Sequence, residues 1–193
     1  ASAATTPGKK APEAAPRVAT RVVVEKGPPS RRTLPLAEAL AAASAVADAE
    51  SGVAEGERRR PAMLVSGRDP AKRLTPRLHG LYLAEASTQG GRPVFKKADQ
   101  EKLTLVFFNE EKGLWRFSHS LESKGDFAKA KERAEFPWKV SKAWKVFDGA
   151  SSYEEDPGLR ATLLDPDSLP EGVQVEVFLP PTATVAAPPS PIA

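Results

Sequence analysis

Every aromatic residue except Phe178 lies between Tyr82 and Tyr153. Aromatic side chains bury more apolar area than any others, so a chain that gathers them in one stretch must build its main core there. The segment from Gly80 to about Leu164 is therefore the body of the molecule, and the flanks are attachments to it. Residues 1–16 carry no apolar side chain larger than alanine, a composition that cannot offset the entropy of ordering and predicts disorder in the free chain. The 19 prolines are about twice the usual ~5% share and crowd both ends and the junctions. A small domain with long extensions fits this better than one body of 193 residues.

The formal net charge of +3 selects no partner by itself, but its distribution is uneven. Residues 1–33 carry about +5, 34–57 about −5, 58–77 about +6, 78–164 about +1 and 165–193 about −4. A near-neutral body with flanks of alternating sign suits a chain that lies across neighbours, or across its own core. Cysteine is absent, which excludes disulfides and thiolate metal sites. No apolar run approaches the ~20 residues needed to span a bilayer as a helix, so membrane association is expected to be peripheral. The chain opens Ala1-Ser2-Ala3-Ala4 without methionine, the look of a mature end after removal of a targeting peptide, although an arbitrary boundary would look the same.

Five regions follow. Residues 1–33 read as an extended arm in which Arg17 to Val24, rich in β-branched residues, is a strand ended by Gly27-Pro28-Pro29. Residues 34–51 read as an Ala-rich helix, with Thr33 as N-cap, Pro35 in the first turn and Gly52 as the stop. Its stripe is Leu36, Leu40, Ala43 and Ala47. That stripe either packs on its own domain or docks on a neighbour. Residues 52–77 form a basic linker holding Arg58, Arg59, Arg60, Arg68, Lys72, Arg73 and Arg77, with Ala62 to Val65 as a candidate strand. Residues 78–164 are the aromatic β module. Residues 165–193 supply an alternating strand, Val173 to Phe178, as a partner for Val22 to Val24, and then a Pro/Ala-rich tail expected in polyproline conformation.

Inside the module, Leu81 to Leu83 and Pro93 to Phe95 flank a hairpin turn at Gln89-Gly90-Gly91. Leu103 to Phe108 is apolar enough to be buried on both faces, and Leu114 to Ser118 alternates as its partner should. Lys124 to Glu135, with its Lys, Ala and Glu, reads as one short helix ended before Pro137. Trp144 to Phe147 and Leu159 to Leu163 complete five or six strands. The expected fold is mainly β (α+β): a small antiparallel sheet or partly open barrel with one short helix, plus the Ala-rich helix and the arms.

Gly80-x-Tyr82, Gly91-Arg92-Pro93-Val94-Phe95, Leu105-x-Phe107, Trp115-x-Phe117 and Trp144-x-Val146-x-Asp148-Gly149 occur in that order. The pattern resembles a Trp-containing β-repeat of protists and algae, in one copy covering about residues 80–164. This copy has Gly90 where that repeat has Asn, and Phe95 where it has Tyr. The resemblance implies a binding or structural module and brings no catalytic residue with it.

Candidate sites divide between structural and functional readings. His79 and His119 are the two histidines, too few for a His-rich metal site, and Ser118 and His119 point to opposite faces of a strand. Asp148, Asp156, Asp165 and Asp167 read as turn caps, since their spacing departs from a calcium loop. Trp115, Trp138 and Trp144, beside Arg92, Arg116 and Lys145, are either core or a stacking face for sugars or bases. The cations of residues 58–77 either contact phosphates or belong to a solvated or protein-docked linker. The interaction candidates are Arg58, Arg59, Arg60, Arg73, Arg77, Trp138, Leu36 and Leu40.

No residue set reads as a reaction centre, and no catalytic, cofactor-binding or metal-binding residue is expected. The expected role is that of a non-catalytic peripheral subunit whose partners are other protein subunits of a large complex. With the algal resemblance and the processed-looking start, its sharpest form is an extrinsic subunit at a photosynthetic (thylakoid) membrane of the chloroplast. An RNA-associated accessory protein such as a ribosomal subunit, and a carbohydrate- or ligand-binding module, are the alternatives from other classes.

Overall fold

The computed structural model of the chain describes residues 22–23, 30–51, 60–99, 103–179 and 184–185. In chain order the elements are β1 (Val22–Val23), β2 (Ser30–Pro35), α1 (Leu36–Ser51), β3 (Ala62–Ser66), α2 (Thr75–Leu78), β4 (Gly80–Gln89), β5 (Arg92–Lys97) and β6 (Leu105–Asn109). They continue with β7 (Leu114–Ser118), β8 (Ala128–Ala130), β9 (Trp144–Phe147), β10 (Tyr153–Asp156), β11 (Arg160–Leu164), β12 (Gln174–Leu179) and β13 (Thr184–Val185). A single 3-10 turn, Pro137–Lys139, interrupts the link from β8 to β9.

Nine strands form one antiparallel sheet in the order β10-β9-β8-β7-β6-β5-β4-β3-β11. Strands β10 and β11 stand at opposite ends of that order, yet only residues 157–159 separate them in the chain. Consecutive Cα atoms are about 3.8 Å apart, so this link cannot span a flat sheet of such width. The sheet therefore curls until its two ends meet at that corner, giving a half-barrel.

The inner face carries the expected aromatic core. A cross-strand row runs Ala84, Phe95, Val106, Phe117, Ala128 and Val146 through six neighbouring strands. Tyr82, Phe108, Trp115 and Trp144 fill the space beside it. Ring pairs meet edge to face, as between Phe117 and Trp144 at 5.0 Å and between Tyr82 and Phe117 at 5.9 Å. Small residues opposite large ones let the layers interdigitate, which is why β8 offers alanine between Phe117 and Trp144.

Strands β3 and β4 are buried on both faces. Met63, Val65, Tyr82 and Ala84 face inward, while Ala62, Leu81 and Leu83 face outward into a second core. That core is closed by α1 through Leu36, Ala39 and Ala42, and by Val175, Val177 and Leu179 of β12. Strands β12 and β2 form a separate antiparallel pair, with Leu34 opposite Val175. The Ala-rich helix thus packs on its own domain. Its buried stripe is Leu36, Ala39 and Ala42, with Leu40 and Ala43 half-buried at its edge.

Three expectations need correction. Residues 124–135 contain no helix: β8 bonds to β7 on one side and β9 on the other, so the backbone of Ala128–Ala130 is committed to two ladders. Thr33 is not an N-cap, because β2 runs through it to Pro35 and the first amide of α1, Leu36, donates to the Val173 carbonyl at 2.9 Å. The partner of β12 is β2 and not the Val22–Val24 arm, of which Val22–Val23 pairs with Thr184–Val185. The strand expected at Ala62 to Val65 exists and belongs to the main sheet, so that sheet begins before residue 78. Residues 1–21, 24–29, 52–59, 180–183 and 186–193, which hold most of the expected arm with Val24 and its Gly27-Pro28-Pro29 stop, part of the linker and the expected polyproline tail, lie outside the described residues.

Candidate interaction site: the braced corner and the open side

The basic segment between β3 and β4 runs along the β9–β10 hairpin. Gly67 begins it at φ +90°, where a Cβ would stand 2.1 Å from the Gly158 carbonyl oxygen. Two bare backbones thus meet at the corner where the sheet closes. Arg68 and Asp156 form a buried ion pair beside that contact. Asp156 also accepts the amides of Gly158 at 3.0 Å and Leu159 at 3.2 Å, and Arg68 donates to the Arg73 carbonyl at 3.0 Å. The Arg68 amide donates to His79 Nε2 at 3.0 Å. Burial, with Lys97 and Arg68 nearby, holds the His79 pKa below its ordinary value.

Arg73 and Arg77 extend the brace. Arg73 Nη1 donates to the Gly149 carbonyl at 3.3 Å, and Gly149, at φ +91°, leaves the room that guanidinium occupies. Arg77 lies over the Phe127 ring at 3.8 Å, and burial lowers its pKa. Tyr82 donates its hydroxyl to the Leu78 carbonyl at 2.8 Å, anchoring α2 to the inner core; burial raises its pKa well above the ordinary range.

Two more buried cations, Lys97 and Arg116, and the exposed Arg31 tie layers together. Lys97 Nζ donates to the Pro76 carbonyl at 2.7 Å and stands 3.6 Å from Asp99, and burial lowers its pKa. Arg31 of β2 reaches Asp99 at 3.8 Å and Glu176 at 3.6 Å, which links the two-stranded pair to the main sheet. On the outer face Arg116, 5.2 Å from the Phe107 ring, pairs with Asp126 and donates to the Ser123 carbonyl at 2.7 Å, tying residues 123–126 back to β7. Burial raises the Asp126 pKa against the opposing pull of Arg116.

The open side of the half-barrel is crossed by residues 131–143. Trp115 Nε1 donates to the Ala134 carbonyl at 2.8 Å, and Arg92 to the Arg133 carbonyl at 3.2 Å. Glu132 accepts the amides of Ser141 and Lys142 at 2.9 and 3.0 Å, closing the loop on itself and lowering its own pKa. Trp138 stacks on Phe136 at 4.7 Å and meets Phe95 edge-on at 5.6 Å. Between this loop and β11 lies a groove of about 360 Å³, floored by Trp138, Trp144 and Leu159, with Lys142 and Arg160 on its rim.

The interaction candidates are thus dispersed. Trp115 and Trp144 are core, and Trp138 is the half-buried tryptophan at the groove. Arg73 and Arg77 brace the fold, Arg60 pairs with Asp48 at 3.4 Å, and Arg58 and Arg59 lie outside the described residues. Leu36 and Leu40 serve the second core. Neither the Arg68–Asp156 pair nor the Arg160 rim is legible in the sequence. Asp156-Pro157-Gly158 reads only as a turn, and nothing local shows that this turn joins the two ends of a sheet.

Among the described residues no three His, Asp or Glu side chains gather as a metal site, and no helix is long and apolar enough to cross a membrane. No known protein family matches the chain, and no curated protein or solved structure shows significant similarity to it.

Proposed function

We propose that this chain is a non-catalytic structural subunit that binds and stabilises a larger protein assembly. The observation that carries the reading is where the buried charges go. Arg68 through Asp156, Arg116 through Asp126 and Lys97 through the Pro76 carbonyl each fasten one segment to another, while the inner face is filled by aromatic rings. Such an arrangement supports a rigid body with attached segments of alternating charge. A photosynthetic membrane complex is the specific form suggested by the sequence resemblance.

Native purification followed by mass spectrometry of co-migrating proteins tests both levels. Constant co-migration with a defined set of subunits is expected, and pigment-binding membrane proteins among them would support the photosynthetic form. Migration as a lone chain would remove the assembly reading.

A further inference from the structure

We propose that the groove between β11 and residues 137–143 is a docking site for an extended, acidic segment of a partner protein. The inference rests on the subunit reading above and names where one partner would bind.

Three features of the groove converge. First, β11 is an end strand, paired with β3 on one side and with no strand on the other among the described residues. An end strand presents main-chain donors and acceptors to any extended chain laid beside it. Second, the groove has an apolar floor in Trp138, Trp144 and Leu159, and this apolar surface continues along the strand. Leu163 lies opposite Met63, whose side chain faces the inner core, yet Leu163 is 47% exposed. A side chain on the core-facing side of a sheet, left open to water at its edge, marks where another apolar group would fit.

Third, the charge on the rim has one sign. Lys142 and Arg160 line the groove and no acidic side chain does. The Arg160 guanidinium makes no hydrogen bond or ion pair among the described residues, unlike Arg60, Arg68, Arg73 and Arg116. Glu132, behind Ser141, has its carboxylate taken by that loop's own amides and hydroxyl. An extended segment alternating apolar and acidic residues would place one set on Trp138 and Leu159 and the other against Lys142 and Arg160. Main-chain pairing supplies affinity in such a mode, and the rim charges supply selectivity.

The test uses the full chain, labelled with nitrogen-15, and two short synthetic peptides, one of alternating Val and Glu and the other of alternating Val and Lys. The Val-Glu peptide should shift the amides of residues 138–143 and 159–163, and the Val-Lys peptide should bind at least roughly tenfold more weakly. Arg160→Glu, an exposed substitution, should reverse that preference while leaving the remaining amide spectrum in place. Equal binding of both peptides, shifts confined to other residues, or no shift with either would overturn the proposal. So would selective shifts from an uncharged peptide of the chain's own residues 186–193, because the groove would then belong to that proline-rich tail. Co-migration with partners together with a silent groove would discard this site and leave the assembly reading standing; lone migration with a responsive groove would do the reverse.

Discussion

Arg68 and Asp156 form a buried ion pair although the chain from one to the other runs through seven strands of the same sheet, β4 to β10. Their side chains are 4% and 6% exposed, so neither charge has water as a substitute partner. Removing one member leaves the other uncompensated, which typically costs about 3–5 kcal/mol. Arg68→Met should lower the unfolding free energy by about that amount, read by urea denaturation. The double variant with Asp156→Leu should lose clearly less than the sum of the two single losses. Additive losses would mean the pair is not a unit.

The glycine contact at the same corner makes a sharper steric prediction, with the β4–β5 turn glycine as its control. Gly67 and Gly91 both have positive φ, but a Cβ on Gly91 meets nothing within 4 Å, whereas one on Gly67 would strike the Gly158 carbonyl at 2.1 Å. Gly91→Ala should cost about 1–2 kcal/mol from backbone strain alone. Gly67→Ala should cost more, and it should shift the amide signals of Gly158 and Leu159. Equal costs would remove the role of the close approach.

The three tryptophans should separate in solution. Trp115 and Trp144 are 0% and 3% exposed, so alanine at either should cost about 3–5 kcal/mol. Trp138, half-buried at the groove, should cost less when shortened and should supply most of the acrylamide-quenchable fluorescence. Trp138→Phe would then abolish most of that quenching. Retention of full quenching would place an inner tryptophan in contact with water.

His79 predicts a pH dependence. Its folded-state pKa is depressed, so the unfolded chain takes up the proton first as pH falls. Stability from this group is full above the ordinary value of 6.5 and is lost as pH drops through 6.5 toward the folded pKa. Because Nε2 accepts the Arg68 amide, the proton sits on Nδ1 in the neutral ring. Nitrogen-detected NMR should show that tautomer and a midpoint below 6.5, and His79→Gln should flatten this part of the stability curve. A midpoint above 6.5 would reverse the sign of the argument.

Much of the strand content was legible because alternation and turn chemistry are local signals. Gly90 and Gly91, at φ +56° and +69°, form the hairpin turn their sequence announces. Of the run Leu103 to Phe108, expected to be buried on both faces, Val106 to Phe108 are buried, but the strand starts only at Leu105 and Leu103 is 43% exposed. The β8 region reads as helix in the sequence because Lys, Ala and Glu favour helices by propensity. The deciding fact, that Ala128 must fit between Phe117 and Val146 in a cross-strand row, lies far away in sequence. Thr33 failed for the same kind of reason: its strand pairs with a segment from the other end of the chain. The groove was invisible, since Lys142 and Arg160 share a rim only after the sheet has curled.

The pairing of β2 with β12 also sets a timetable for biosynthesis. As the polypeptide leaves the ribosome, β2 and α1 emerge before the main sheet, but Val175, Val177 and Leu179, which complete their cover, emerge only after all of it. The aromatic half-barrel can close once Leu164 is out, and its outer surface at Ala62, Leu81 and Leu83 stays sticky until β12 arrives. A nascent chain halted between those points would carry a finished inner core and an unfinished coat, the form most in need of a chaperone.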